Sequence, residues 1–189
     1  MNPRAHATGL YTRYTRFMNK SILILATAAL SFAGNPQSPS AQASVTIAGK
    51  SITIKYSAPS LRGRKMFGPD GQISKDPTYP AWRTGADDAT ALHTDADLMI
   101  GTLNVPKGDY TIYTLVNVTP WQLIINKQTK QWGTEYDKNR DLGRVPMTVV
   151  KPSAPIETFK ITLSSAGGNK GKLQLEWDNV IASVPVTVK

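Results

Sequence analysis

From Ser44 to the C-terminus, short segments rich in β-branched and aromatic residues are separated by Gly, Pro, Asn and Asp. Residues 51–57 show the pattern most clearly, because Ile52, Ile54 and Tyr56 alternate with polar residues. A period of two is typical of a strand with one buried face. The same region keeps no helical period and shows no repeat at solenoid or propeller spacing. These features predict an all-β fold.

The turn residues divide this region into about nine or ten strands, most of them joined as antiparallel hairpins. Such a set favours an antiparallel two-sheet β-sandwich, with jelly-roll or immunoglobulin-like topology, and a closed β-barrel is the alternative. Residues 98–105 and 144–150 are each predicted as one strand. Residues 61–80 are predicted as a long loop, and a loop of that length is typically functional or mobile. Residues 127–143 are predicted as a loop or a short irregular helix. Residues 44–189 are long enough to form one domain.

The first 43 residues have a different composition. Four basic residues and no acidic ones accompany an uncharged apolar run at residues 21–33, and a polar stretch then ends in Ala41-Gln42-Ala43. This order is typical of a secretory signal peptide cleaved after Ala43, and an uncleaved anchor is the alternative. The segment that begins at Met18 would form a complete signal peptide by itself, so Met18 is a candidate for the true start of the protein. We therefore expect a periplasmic or extracellular protein with no membrane anchor after cleavage.

Charge and cysteine content narrow the function further. The chain has 22 Lys and Arg against 13 Asp and Glu, and no cysteine. Because four basic residues lie in the predicted leader, residues 44–189 have a net charge of +5. The remaining basic residues are scattered, so we expect no nucleic-acid partner. The lack of cysteine excludes disulfides and anchoring as a lipoprotein.

Few residues suit catalysis or metal binding. His93 is the one histidine of residues 44–189, so zinc sites built from several His or Cys are excluded, and we expect no metal and no cofactor. A hydrolase would have to use His93 or the pair Asp87 and Asp88, and a packing role is the alternative for His93. Five aspartates are potential calcium ligands, but they lack EF-hand spacing and their positions favour turn formation over calcium binding: Asp87, Asp88, Asp95, Asp97 and Asp109.

Arginine and aromatic residues gather in the irregular segments. Arg62 and Arg64 flank a glycine beside hydroxyl side chains, and guanidinium groups bind carboxylates or phosphates through paired hydrogen bonds. Structural ties to nearby acids are the alternative. Aromatic rings in polar loops suit stacking on a sugar. The predicted ligand-binding residues are Arg62, Arg64, Trp82, Arg83, Trp132 and Tyr136.

Several spaced motifs resemble a family of secreted bacterial proteins. They are YSAPSLRGR at residues 56–64, WRTGA at 82–86, Asn126-Lys127, Gln131-Trp132-Gly133 and Tyr136-Asp137. Across nearly all of residues 44–189 the sequence is similar to domain of unknown function 2911. The resemblance implies an exported, mostly β domain and carries no established activity. Where that family commonly has Asn-Glu, this chain has Asp87-Asp88, which places the second carboxylate on a shorter arm.

Three functions remain open from the sequence. The convergence of Arg and Trp favours a module that binds a small polar or anionic ligand or a glycan. A periplasmic hydrolase using His93 or Asp87 and Asp88 is the second hypothesis. A structural or assembly module of the cell envelope, which joins partners through an exposed sheet edge, is the third.

Overall fold

The computed structural model describes residues 37–189, which form two antiparallel sheets packed as a β-sandwich. This confirms the predicted fold class. Two short 3-10 helices, Gln72–Lys75 and Lys138–Arg140, interrupt the loops. Within the described range the strands are β1 Ser40–Ile47, β2 Lys50–Ser57, β3 Ala81–Trp82, β4 Thr90–Thr94, β5 Leu98–Ile100, β6 Leu103–Val105, β7 Gly108–Leu115, β8 Gln122–Asn126, β9 Asp141–Pro146, β10 Thr148–Val150, β11 Ile156–Gly167, β12 Lys170–Asp178 and β13 Val180–Val188.

The strand order places neighbouring hairpins side by side. The seven-stranded sheet has the order β1-β2-β4-β7-β8-β9, with β3 paired to β7. The six-stranded sheet has the order β11-β12-β13-β5-β6, with β10 paired to β13. Strand β1 packs beside β11, and β6 packs beside β9. The two sheets remain separate, so the core lies between them as one layer.

Alternation along the strands builds this core. Ile52, Ile54 and Tyr56 are all buried, as their period of two predicts. At one end of the sandwich, Trp82 stacks on Trp177 with a ring-centroid distance of 5.7 Å. A fully buried large apolar side chain contributes about 1.5–3 kcal/mol to stability, so this aromatic end is a major part of the core.

The long loop between β2 and β3 packs against that aromatic end. Its Leu61, Met66 and Ile73 side chains are buried, and the Met66 amide donates to Asp178 Oδ2 at 2.9 Å. Phe67 contacts Trp82 edge-on, with centroids 5.6 Å apart. The loop therefore covers the core, a structural role that its glycine and proline content did not indicate.

Two segments predicted as single strands are divided. Residues 98–105 form β5 and β6, because Gly101, at a φ of 56°, turns the chain between them. Residues 144–150 contribute to β9 and β10, which belong to different sheets. Between them, buried Met147 donates its amide to Trp121 O at 2.8 Å, which fixes the crossing point.

Residues 1–36 of the predicted leader lie outside the described residues, and its predicted end after Ala43 falls within β1. Residues 40–43 pair with residues 54–57 of β2. The Ser38 amide donates to Asp87 Oδ2 at 2.8 Å, and Pro39 O accepts from the Ala58 amide at 2.8 Å. Residues 37–189 include no helix with the length and hydrophobicity of a membrane span.

A chain that begins at Ser44 should be less stable than one that begins at Gln37. The shorter chain loses half of β1 and the two hydrogen bonds just before it, at about 1 kcal/mol for each bond lost. We expect the free energy of unfolding, measured by urea denaturation, to fall by at least about 2 kcal/mol. Equal stability of the two chains would mean that residues 37–43 contribute nothing to the fold.

Candidate functional site

A cleft of about 780 Å³ lies on the outer face of the seven-stranded sheet. Strand β2 directs Thr53 and Lys55 outward, and β4 directs Ala91 and His93 outward. The register pairs Thr53 with His93 and Lys55 with Ala91. Because the Ala91 side chain is only a methyl group, the outer face of the sheet has a depression at this position. The cleft floor is therefore made by the alanine of β4, with longer side chains around it.

The segment after β8 forms one wall of the cleft. Thr129, Lys130 and Gln131 line it, and the Gln131 amide nitrogen Nε2 donates to Thr111 Oγ1 at 3.1 Å and to Tyr113 OH at 3.3 Å. Thr111 and Tyr113 belong to β7, on the side of β4 away from β2. The wall and Lys55 therefore stand on opposite sides of the alanine floor.

Main-chain pairing with the segment before β4 holds this wall in place. The Ala89 amide donates to Gln131 O at 3.2 Å, and the Gly133 amide donates to Asp87 O at 3.0 Å. A Cβ atom on Gly133 would lie 2.5 Å from Asp87 O and would also overlap the Arg83 side chain. Only glycine permits this close approach. Two motifs distant in sequence, residues 82–86 and Gln131-Trp132-Gly133, are thereby brought together.

The cleft contains charges of both signs. Lys55, Lys130 and Asp88 line it and are exposed. Within residues 37–189, none of these three side chains forms an ion pair or a side-chain hydrogen bond. Their charged groups are therefore available to a ligand.

His93 lies at one end of the cleft between two carboxylates. Its Nδ1 is 2.7 Å from Asp109 Oδ1 and its Nε2 is 3.0 Å from Asp95 Oδ1. The hydrogen bond to Asp109, and then the one to Asp95, raise the pKa of His93 above its usual value. A neutral imidazole has one N–H donor and one lone pair, so two carboxylate partners favour the imidazolium.

The structure places the predicted ligand-binding residues at several points. Arg64 donates from Nε to Leu61 O at 2.9 Å and from Nη2 to Ser60 O at 2.8 Å. The Arg62 side chain is exposed, and its amide donates to Glu157 Oε1 at 2.9 Å. Neither arginine lines the cleft. Arg64 is thus used to hold the start of its own loop.

Trp82 ends β3 and is buried, whereas Arg83, the next residue, is partly exposed. Trp82 is 1% exposed, and its Nε1 donates to Gly85 O at 3.1 Å, so its ring faces lie in the core and offer a ligand no stacking surface. Arg83 Nη2 forms an ion pair with Asp76 Oδ2 at 2.7 Å. Both side chains therefore act within the protein, as core and as structural tie.

Trp132 and Tyr136 differ in exposure. Trp132 is 41% exposed and is bridged through its main chain to Asp88, so it lies beside the cleft-lining part of the wall. Tyr136 packs against Tyr113 with the ring planes tilted and the centroids 4.7 Å apart, and its hydroxyl donates to Asp141 Oδ2 at 2.8 Å. Burial and the Asp141 carboxylate raise the pKa of Tyr136 above its usual value.

Two of the three catalytic candidates line the cleft and the third does not. His93 and Asp88 line the cleft, whereas Asp87 accepts the Ser38 amide through Oδ2. No group of three or more His, Asp or Glu side chains in residues 37–189 is arranged to hold a metal ion.

Sequence reasoning missed Lys55, Ala91, Lys130 and Gln131 as site residues. The signal for two of them was present: alternation in residues 51–57 and 90–94 places Lys55 and Ala91 on outward faces. Lys130 and Gln131 reach the site through pairing with a segment about forty residues away, which no local pattern encodes.

Comparison with known proteins gives one match. The family model described as "Protein of unknown function (DUF2911)" matches residues 38–186. No curated protein and no solved structure matches the chain.

The His93 contacts predict a pH dependence. In the chain 37–189, where His93 is the sole histidine, proton NMR titration should give a pKa above 6.5. Asp109→Asn should lower this pKa more than Asp95→Asn. Because the folded pKa is raised, the stabilising contribution is complete below the unfolded pKa near 6.5 and is lost as the pH rises through the folded value. A pKa at or below 6.5 would contradict the double contact.

Proposed function

We propose that this chain, which belongs to the DUF2911 family of unknown function, binds a small anionic polar ligand in the cleft over Ala91. The single observation that carries the proposal is that two lysines, Lys55 and Lys130, lie on either side of the cleft floor formed by Ala91. An ammonium group binds a carboxylate or phosphate as a compact point charge.

The dimensions of the cleft suit such a ligand. A volume of about 780 Å³ lies within the range of small-molecule sites, about 300–1,000 Å³. Thr53, Ser57 and Thr129 add hydroxyl groups to the lining, and these both donate and accept hydrogen bonds. A sugar acid or a short peptide is of the right size and polarity. The exposed indole of Trp132 beside the wall offers a stacking surface for such a ligand.

The contacts of His93 favour binding over hydrolysis. A general base needs one ring nitrogen free to take a proton from a nucleophile. Both nitrogens of His93 instead face Asp109 and Asp95, so the ring acts as a cross-link between the end of β4 and the start of β7. The assembly hypothesis expected a long open edge, whereas the long edge strands β1 and β11 lie against each other.

Loss of either cleft lysine should weaken binding of an anion. With the chain 37–189, isotope-labelled for NMR, we expect D-glucuronate and glucose 6-phosphate to shift amide signals around Ala91, with glucose at least about tenfold weaker. Lys55→Gln and Lys130→Gln should each reduce anion affinity about tenfold or more, since a hydrogen bond to a charged group is worth about 1.5–3 kcal/mol.

Lys172→Gln is the matched control, because Lys172 is an exposed lysine of β12 in the other sheet. This variant should bind as the unaltered chain does. The proposal fails if no anion perturbs the cleft, or if all three lysine variants lose affinity equally.

A further inference from the structure

The cleft holds a carboxylate that a site for a simple anion does not need. Asp88 lines it together with Lys55 and Lys130, yet Asp88 forms no ion pair or side-chain hydrogen bond with any residue of 37–189. Asp109, which also lines the cleft, is engaged by His93. Among the described residues that line the cleft, Asp88 is therefore the carboxylate left without a cationic partner.

An unpaired carboxylate works against anion binding. Two like charges 4 Å apart repel by about 1 kcal/mol in water and by about 4 kcal/mol at the effective dielectric of a protein surface. A ligand with one negative group would meet this repulsion without compensation. A ligand that also carries an ammonium group would turn the same carboxylate into a favourable contact.

The spacing of the charges sets the size of such a ligand. Asp88 lies three residues before Ala91, which is paired with Lys55, so their backbone positions differ by at most about 10 Å along the strand. Lys130 lies two residues before Trp132, which is bridged to Asp88. The ends of an extended dipeptide are about 7 Å apart, so a ligand of this length fits within that limit.

We infer that the ligand of the cleft is a short zwitterion of dipeptide size, whose negative group lies between Lys55 and Lys130 and whose ammonium group contacts Asp88. The inference rests on the proposed function and specifies its ligand class. Glycan acids without an amine would then occupy only the lysine part of the site.

Three forms of one dipeptide test the inference by calorimetry on the chain 37–189. Free dialanine carries both charges, N-acetyl-dialanine keeps only the carboxylate, and dialaninamide keeps only the ammonium. We expect dialanine to bind about tenfold or more tightly than N-acetyl-dialanine. Asp88→Asn should abolish this preference while leaving the affinity for N-acetyl-dialanine unchanged or higher. Asp70→Asn, at an exposed aspartate that does not line the cleft, is the control and should keep the preference.

The outcomes separate the two claims. If N-acetyl-dialanine binds as tightly as dialanine, the zwitterion inference is overturned and the anion site remains. If Asp88→Asn binds dialanine more tightly than N-acetyl-dialanine by the same factor as the unaltered chain, the inference is also overturned, because Asp88 is then not the ammonium contact. If neither the dipeptides nor the sugar anions bind, the proposed function itself falls.

Discussion

Main-chain pairing between residues 87–89 and 131–133 is the interaction on which the cleft depends. It fixes the segment after β8 over the outer face of the sheet, while the Gln131 side chain anchors the same segment to Thr111 and Tyr113. Without this pairing, Lys130 would have no defined position relative to β4, and the alanine floor would be an open sheet surface. Gly133 allows the two segments to approach closely, so the wall depends on a residue that lines no part of the cleft.

The sandwich itself could be predicted because its signal is local. Alternation along β2 and β4 and the turn residues between strands appear directly in the sequence, and the described structure follows them. The cleft could be predicted only in part. Lys55 and Ala91 are outward positions of readable strands, but an alanine on a solvent-facing position carries no marker of function until its neighbours are known.

Where prediction and structure differ, a contact between residues far apart in the sequence accounts for the difference. Trp82 occupied the predicted site because an aromatic beside arginine and glycine suggests a ligand surface, yet contacts with Trp177 and Phe67 place it in the core. The loop at residues 61–80 had the composition of a mobile segment and instead covers that core. His93 was a candidate base by residue type alone. The register of β4 and β7 places His93 opposite Asp109, and this contact makes it a structural cross-link.

Filling the floor tests the central claim most directly. Ala91 is exposed on a central strand, where a phenylalanine is a good strand former, so Ala91→Phe should leave the free energy of unfolding within about 0.5 kcal/mol of the unaltered chain. The aromatic ring would occupy the space between Lys55 and the wall, and binding of the preferred anion, measured by calorimetry, should be lost. A variant that is equally stable and binds with unchanged affinity would show that ligand recognition does not take place in this cleft.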